Sequence, residues 1–191
     1  MEANNKYLVL IIRRHSGEID WILPLIYNLT KDLELITIFN DKKSFESLSK
    51  NKALFNLWRK KCNKFYIIKG YEKIFYKLAH KILITLKFNK LRLFSQIENF
   101  FIKNTFNFNK FVKQFQVNKN EIKVILTPII NLSSLPAIFK NNLPGVKLIK
   151  FPESQWINPF FKYNNIKKNY FDKLTDLYLI PKEQNANFFF G

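Results

Sequence analysis

The chain has 191 residues, 47% of them hydrophobic, and a formal net charge of +18. This apolar content supplies a core and excludes a disordered tail, and the length fits one large domain. A single cysteine, Cys62, excludes an internal disulfide framework, and one cysteine with two histidines in the whole sequence argues against a structural zinc site. We expect no metal site and no cofactor.

The first predicted unit is a strand, a turn, a helix and a second strand. Residues 7–12 and 33–39 are apolar runs, and residues 18–31 between them follow helical spacing. This alternation predicts a parallel βαβ unit. Ligands of open parallel sheets bind beyond the carboxyl ends of the strands, so the turn after the first strand is a candidate site.

That turn carries the most chemically capable side chains of the chain. Ser16 suits a helix cap, Gly17 permits a tight turn or a close ligand, and Glu18 suits the positive end of a helix. These features also occur in ordinary helix starts, so a purely structural role stays open. Two guanidinium groups and an imidazole beside the carboxylate favour an acid/base and anion-binding set. These three side chains are Arg13, Arg14 and His15.

Positive charge is concentrated in one segment, at about 57–117. Between residues 57 and 113, fourteen Lys or Arg residues stand against two Glu, which is a net +12 of the total +18. We interpret this segment as a basic helical insert. Its centre, residues 71–94, has the spacing of a basic amphipathic helix.

Three interpretations of the amphipathic centre stay open. It packs on the core with a solvated basic rim, lies on an anionic membrane surface, or binds nucleic acid. Nucleic acid ranks third, because the sequence has no zinc-finger spacing, RNP-like motif or clear helix-turn-helix. On a membrane, basic and apolar side chains would share the contact: Lys73, Phe75, Lys77, Lys81 and Ile82.

The rest of the chain continues the alternation of helix and strand. We predict a helical stretch at 95–116, a strand at 121–127, a short helix at 133–140, a strand at 146–151 and a last short strand at 176–180. The expected fold is α/β: a single Rossmann-like three-layer domain with a mainly parallel sheet, residues 7–12 as a central strand, and helices on both faces.

Four features in this order resemble the N-terminal lobe of a GT-B-type glycosyltransferase. They are the Ser16-Gly17-Glu18 helix start, the basic insert, the loop Phe151-Pro-Glu-Ser154 and the closing segment 175–182. Within that class the chain is most similar to CDP-glycerol glycerophosphotransferase-like and polysaccharide-assembly enzymes. UDP-sugar 2-epimerases share the same two-lobed architecture.

The resemblance implies an acceptor lobe, in an enzyme that transfers a sugar or polyol-phosphate unit from a nucleotide donor to a cell-envelope glycan or lipid-linked acceptor. It implies Glu18 as the base, with His15 in support. The glycerophosphotransferase-like group has a His-Gly pair where this chain has Glu153 and Ser154, so Glu153 is either an alternative base or a solvated loop carboxylate. The expected substrate-binding residues are Arg13, Arg14, Ser16, Gly17, Glu153 and Ser154.

In such enzymes the C-terminal lobe holds most donor contacts, and two lobes need roughly 300 residues. The sequence also has neither of the two common glycine-rich nucleotide-binding motifs. We therefore expect a truncated or split transferase that is inactive alone, or a non-catalytic module that binds membrane or nucleic acid through the insert. Without a signal-peptide pattern or a spanning apolar run of roughly 18 to 20 residues, we expect a cytoplasmic protein that reaches the inner face of the membrane only peripherally.

Overall fold

A computed structural model of the chain describes residues 6–13, 16–29, 33–68, 99–100, 102–128, 134–151 and 174–179. Its strands form one six-stranded sheet with an apolar layer on each face. All five strand pairings are parallel. The predicted Rossmann-like three-layer α/β fold is thereby confirmed.

Strands and helices alternate along most of the described chain. The strands are β1 (Lys6–Ile12), β2 (Leu33–Phe39), β3 (Lys64–Ile67), β4 (Ile122–Pro128), β5 (Lys147–Phe151) and β6 (Leu177–Tyr178). The helices are α1 (Gly17–Leu29), α2 (Lys42–Lys50), α3 (Lys52–Lys61), α4 (Phe108–Phe115) and α5 (Leu135–Asn142). A 3₁₀ turn at Lys119–Glu121 leads into β4.

The strand order β3-β2-β1-β4-β5-β6 makes β1 a central strand, as predicted. From β1 the chain moves outward to β3 on one side. It then returns to β4, on the other side of β1, and moves outward in the opposite direction. The order therefore reverses between β1 and β4, and at such a reversal a ligand crevice opens beyond the carboxyl ends of the strands.

Side chains of β1 alternate between the two apolar layers. Val9 and Ile11 belong to the layer that contains α4 and α5, whereas Leu10 and Ile12 belong to the layer with α1, α2 and α3. A strand covered on both faces needs apolar side chains at every position. This requirement explains the continuous apolar run that identified β1 in the sequence.

The range 57–117 contributes more to the main fold than a basic insert would. Strand β3 pairs with β2 over all four of its residues. Phe111 on α4 is fully buried, with ring centroids 5.9 Å from Tyr66 and 5.4 Å from Phe139. Strand β3 was not predicted, because four residues beginning with a lysine give too short an alternation to recognise.

The predicted membrane contacts lie outside the described residues: Lys73, Phe75, Lys77, Lys81 and Ile82.

Candidate functional site

The turn between β1 and α1 closes on a buried carboxylate. Glu18 is fully buried, and its Oε2 accepts a hydrogen bond from the Arg13 backbone N–H at 2.7 Å. This bond satisfies a backbone donor just past the end of β1 and fixes how the chain enters α1. A catalytic role for Glu18 would require the carboxylate to reach an acceptor hydroxyl as well.

Helix α1 begins at Gly17, one residue before the start predicted at Glu18. The Ser16 carbonyl accepts the N–H groups of Ile19 and Asp20, each at 3.0 Å. The first turn also carries two acidic residues, Glu18 and Asp20, which the positive end of the helix dipole favours. The structure thus places Ser16 at the start of the helix through its backbone carbonyl, and the predicted cap by its side chain stays a prediction.

Helix α2 braces the same turn from the side. The Ser44 hydroxyl lies 2.7 Å from the Arg13 carbonyl and 2.7 Å from Asp41 Oδ1, so it can donate to one of them at a time. Asp41 caps α2 by accepting the Ser44 N–H at 2.7 Å. At the other end of the turn, Ser47 Oγ accepts the Ser16 N–H at 3.2 Å. Both ends of the turn are therefore tied to α2.

Polar side chains from three adjacent strands are buried at this edge of the sheet. Thr127 on β4 is 0% exposed, Lys150 on β5 is 2% exposed, and Arg13, just after β1, is 6% exposed. We call these three residues the carboxyl-edge cluster. Neither Thr127 nor Lys150 was predicted as a site residue, although a polar residue near the carboxyl end of an apolar strand was an available signal.

The β4 and β5 members of the cluster are neighbours on one face of the sheet. Thr127 and Lys150 are paired in the register, and each follows by two residues a side chain of the layer that contains α4 and α5. Since strand side chains alternate, both face that layer. Leu10 pairs with Leu126, so Arg13 lies two residues, about 7 Å, further along the strand direction than Thr127.

Positive charge prevails among the buried groups of this edge. In the part of the chain that the structure describes, the buried charged side chains are Arg13, Lys150 and Glu18. A buried ammonium or guanidinium group costs free energy unless oxyanions or dipoles face it. Two cationic side chains and one carboxylate are therefore buried near this edge of the sheet.

The structure brings part of the predicted site together and leaves part undescribed. Arg13, Ser16, Gly17 and Glu18 meet at the carboxyl end of β1. Four other predicted site residues lie outside the described residues: Arg14, His15, Glu153 and Ser154.

The chain's one thiol belongs to the core and not to this edge. Trp58 Nε1 donates to Thr37 Oγ1 at 2.9 Å, and that oxygen lies 3.1 Å from Cys62 Sγ. Sγ in turn donates to the Lys64 carbonyl at 3.1 Å. Burial raises the pKa of the Cys62 thiol to about 11, against the opposing effect of its hydrogen bonds and of Arg59. A buried, protonated thiol is a poor nucleophile.

Two kinds of feature are absent from the described ranges. No group of three or more His, Cys, Asp or Glu side chains there could hold a metal ion. Of the helices described, none combines the length and apolar character needed to cross a bilayer.

Comparisons with known proteins return no match for this chain, whether the comparison is with family models, with curated proteins or with solved structures. What points to function is therefore the sheet edge itself. It combines the reversal of strand order, the turn closed by Glu18 and the carboxyl-edge cluster.

Proposed function

We propose that this chain is the acceptor-binding lobe of a glycosyl- or glycerophosphotransferase-like enzyme of cell-envelope polysaccharide or lipid-linked glycan synthesis. One observation carries the proposal: a carboxylate, Glu18, lies at the point where strand order reverses, which is where open parallel sheets bind ligands. In this proposal a nucleotide-activated sugar or polyol donor is bound mainly by a second lobe.

In this proposal the acceptor hydroxyl approaches the turn between β1 and α1. Its oxygen forms the new bond to the donor's sugar carbon or phosphorus, the nucleotide leaves with the electron pair of the broken bond, and Glu18 takes the proton. Arg13 stabilises anionic groups beside it, and His15 supports the base. Gly17 leaves room for the acceptor because it has no side chain.

Ligand selectivity tests the proposal directly. In the isolated chain, glycerol phosphate oligomers should shift the backbone amide signals of residues 13 and 16–18 in NMR titrations. CDP-glycerol and UDP-sugars should bind only weakly and should not be turned over, because their main contacts belong to the second lobe. A micromolar dissociation constant for any of these donors would contradict the acceptor-lobe assignment.

A matched pair of variants tests the role of Glu18. Glu18→Gln keeps an oxygen that can accept the Arg13 N–H but removes the charge. We expect it to weaken acceptor binding by about fivefold, since one hydrogen bond contributes about 1 kcal/mol. Asp20→Asn, an exposed carboxylate in the same helical turn, should leave binding unchanged. Equal effects of the two changes would indicate general electrostatics and argue against a specific base.

A further inference from the structure

We infer that the outer side of α1 and the adjoining side of α3 together form a docking surface for an anionic phospholipid bilayer. Four apolar and two basic side chains make up this α1–α3 surface: Trp21, Pro24, Tyr27, Leu57, Lys60 and Lys61. None of them belongs to the site at the carboxyl edge of the sheet. The inference therefore does not depend on the proposed function.

Helix α1 is apolar on its outer side as well as on its inner side. A helix that covers a sheet ordinarily turns a polar face to solvent. On the outer side of α1, Pro24 is exposed and Trp21 and Tyr27 are partly exposed, and the helix contains no Lys or Arg. The exposed Asn28 donates its amide to the Pro24 carbonyl at 2.9 Å. The outer side of α1 therefore has the composition of a contact surface.

A groove between α1 and α3 gives this surface depth. It has a volume of about 160 Å³ and also borders on Asp20, in the first turn of α1. Its apolar lining comes from both helices: Leu23, Pro24, Tyr27, Leu54 and Leu57. Leu57 is 47% exposed. An apolar cavity of this size can hold a small hydrocarbon such as benzene, so the groove has room for a segment of an acyl chain.

Two lysines of α3 stand beside the groove. Lys60 and Lys61 follow Leu57 by three and four residues, so the three side chains share one side of the helix. Lys61 Nζ lies 4.9 Å from the ring centroid of Tyr27. Helices α2 and α3 together carry seven Lys or Arg residues against one Glu, which is a net charge of +6. Positive charge and apolar surface therefore meet at the same place.

This combination favours a bilayer over other partners. Anionic headgroups attract the lysines, and acyl chains bury Leu57 and fill the groove. Nucleic acid offers phosphates but no apolar phase for Leu57 and Pro24. A second copy of the chain would bring a further charge of +18. A protein partner is aligned by hydrogen bonds, but the Tyr27 hydroxyl already donates to the Leu57 carbonyl at 2.7 Å.

Co-sedimentation with vesicles tests the apolar part of the surface. The full chain should bind vesicles of phosphatidylcholine mixed with phosphatidylglycerol, and should bind pure phosphatidylcholine about tenfold more weakly or less. Leu57→Ser should weaken binding to the anionic vesicles by about fivefold. The matched control is Leu177→Ser, the same change at a side chain of 50% exposure on β6. It should change binding by less than about twofold, because no apolar area is lost from the docking surface.

A second pair of variants tests the charges. Lys60→Gln and Lys61→Gln together should weaken binding to anionic vesicles by about tenfold or more. The control, Lys110→Gln with Lys113→Gln, removes the same charge from exposed positions of α4, in the opposite layer. Screening should limit its effect to less than about threefold. All variants should keep the circular dichroism spectrum of the wild type, and if Leu57→Ser does not, the two lysine pairs decide the question.

The contrary outcomes are distinct. The inference is overturned if the wild type does not bind anionic vesicles, or if each variant behaves like its control. Binding that is lost with Phe75→Ser but kept with Leu57→Ser would move the membrane contact to the basic insert and would also reject the inference. A gel shift with RNA or DNA that depends on Lys60 and Lys61, without vesicle binding, would make this a nucleic-acid surface instead.

Discussion

Cys62 makes the stability of this protein depend on alkaline pH. Burial raises the pKa of its thiol to about 11. The unfolded thiol loses its proton first, near pH 8.5 to 9, so between about pH 9 and 11 the folded state binds more protons than the unfolded state. The stabilisation is complete below that window and is lost as pH rises through it. Cys62→Ala should abolish this loss, which is at most about 1.4 kcal/mol per pH unit.

Urea unfolding of the wild type and of Cys62→Ala at about pH 8, 9 and 10 measures this effect. The difference between the two free energies of unfolding isolates the contribution of the thiol, because lysines and tyrosines, which ordinarily titrate in the same pH range, contribute equally to both proteins. At pH 8, the rate at which a thiol reagent modifies the wild type should follow unfolding. Parallel pH profiles, or rapid modification of the folded chain, would show that the thiol is accessible.

Glu18 also has a measurable structural role. Glu18→Ala leaves the Arg13 N–H without the carboxylate that accepts it, so the free energy of unfolding should fall by about 1 to 3 kcal/mol. Glu18→Gln should cost less, because an amide oxygen can take the same bond. Asp20→Asn is the control and should stay within about 0.5 kcal/mol of the wild type in chemical denaturation. A neutral Glu18→Ala would mean that the turn does not depend on this bond.

Only the local part of the site could be predicted from the sequence. Arg13 to Glu18 fall within six residues, and helix-start chemistry acts over that range. The Ser44 hydroxyl bonds to Arg13 from 31 residues away. Thr127 and Lys150 meet only through the register of two strands. Neither contact has a signature in a short stretch of sequence.

At the scale of elements, Asp176 joins β5, β6 and α5. Its Oδ2 accepts the Leu148 N–H at 2.7 Å and the Lys140 ammonium group at 2.6 Å. The Asp176 N–H donates to the Leu148 carbonyl at 2.9 Å. One carboxylate thus connects the edge strand to its neighbour and to the helix above them.

Removing that carboxylate should loosen this edge. We expect Asp176→Ala to lower the free energy of unfolding by about 1 to 2 kcal/mol, a value reduced because the side chain is 29% exposed and solvent screens the pair. Lys147→Ala should have almost no effect, since its ammonium group is exposed and 3.6 Å away. Urea unfolding at pH 7 compares the three proteins.

The same carboxylate gives a dependence on acidic pH. The hydrogen bond from Lys140, followed by that from the Leu148 N–H, lowers the pKa of Asp176 below its ordinary value. The stabilisation is therefore present above about pH 3.9, the unfolded value, and is lost as pH falls through the folded pKa. The difference between wild type and Asp176→Asn should shrink between about pH 5 and pH 2. A constant difference would contradict this assignment.

Elements were predicted best where a long apolar pattern determines them. Strand β2 was predicted with its observed bounds, and β1 differs by one residue. Helix α1 was expected to continue to residue 31 but ends at Leu29. The two-residue β6 lies inside the five-residue strand predicted at 176–180. Strand β3 was missed because tertiary pairing with β2, and not its own pattern, makes it a strand.

At the scale of the whole molecule, the range 57–117 contributes side chains both to the core and to the surface, and substitutions of two phenylalanines distinguish the two. Phe111 is fully buried between the rings of Phe115 and Phe139, whereas Phe100 is 64% exposed. Phe111→Ala should lower the free energy of unfolding by about 3 to 5 kcal/mol. Phe100→Ser should change it by less than about 0.5 kcal/mol. Similar losses for both, measured by chemical denaturation, would contradict this division.

The class of fold could be predicted, but not the full strand order. Alternating elements indicate parallel pairing, because a strand that follows a helix crossover returns in the same direction. Placing β4 beside β1, and not beside β3, depends on contacts between residues more than a hundred positions apart. Local periodicity contains no information about such contacts.

Among the residues that the structure describes, the outermost strands of the sheet, β3 and β6, are only four and two residues long. A flanking strand offers unpaired backbone groups to which a strand of another molecule can add, and the risk of such addition grows with its length and flatness. Here the long apolar strands lie inside the sheet, and the outer strands provide short templates, one of which begins with a lysine. The described sheet thus keeps its long apolar strands away from intermolecular β-pairing.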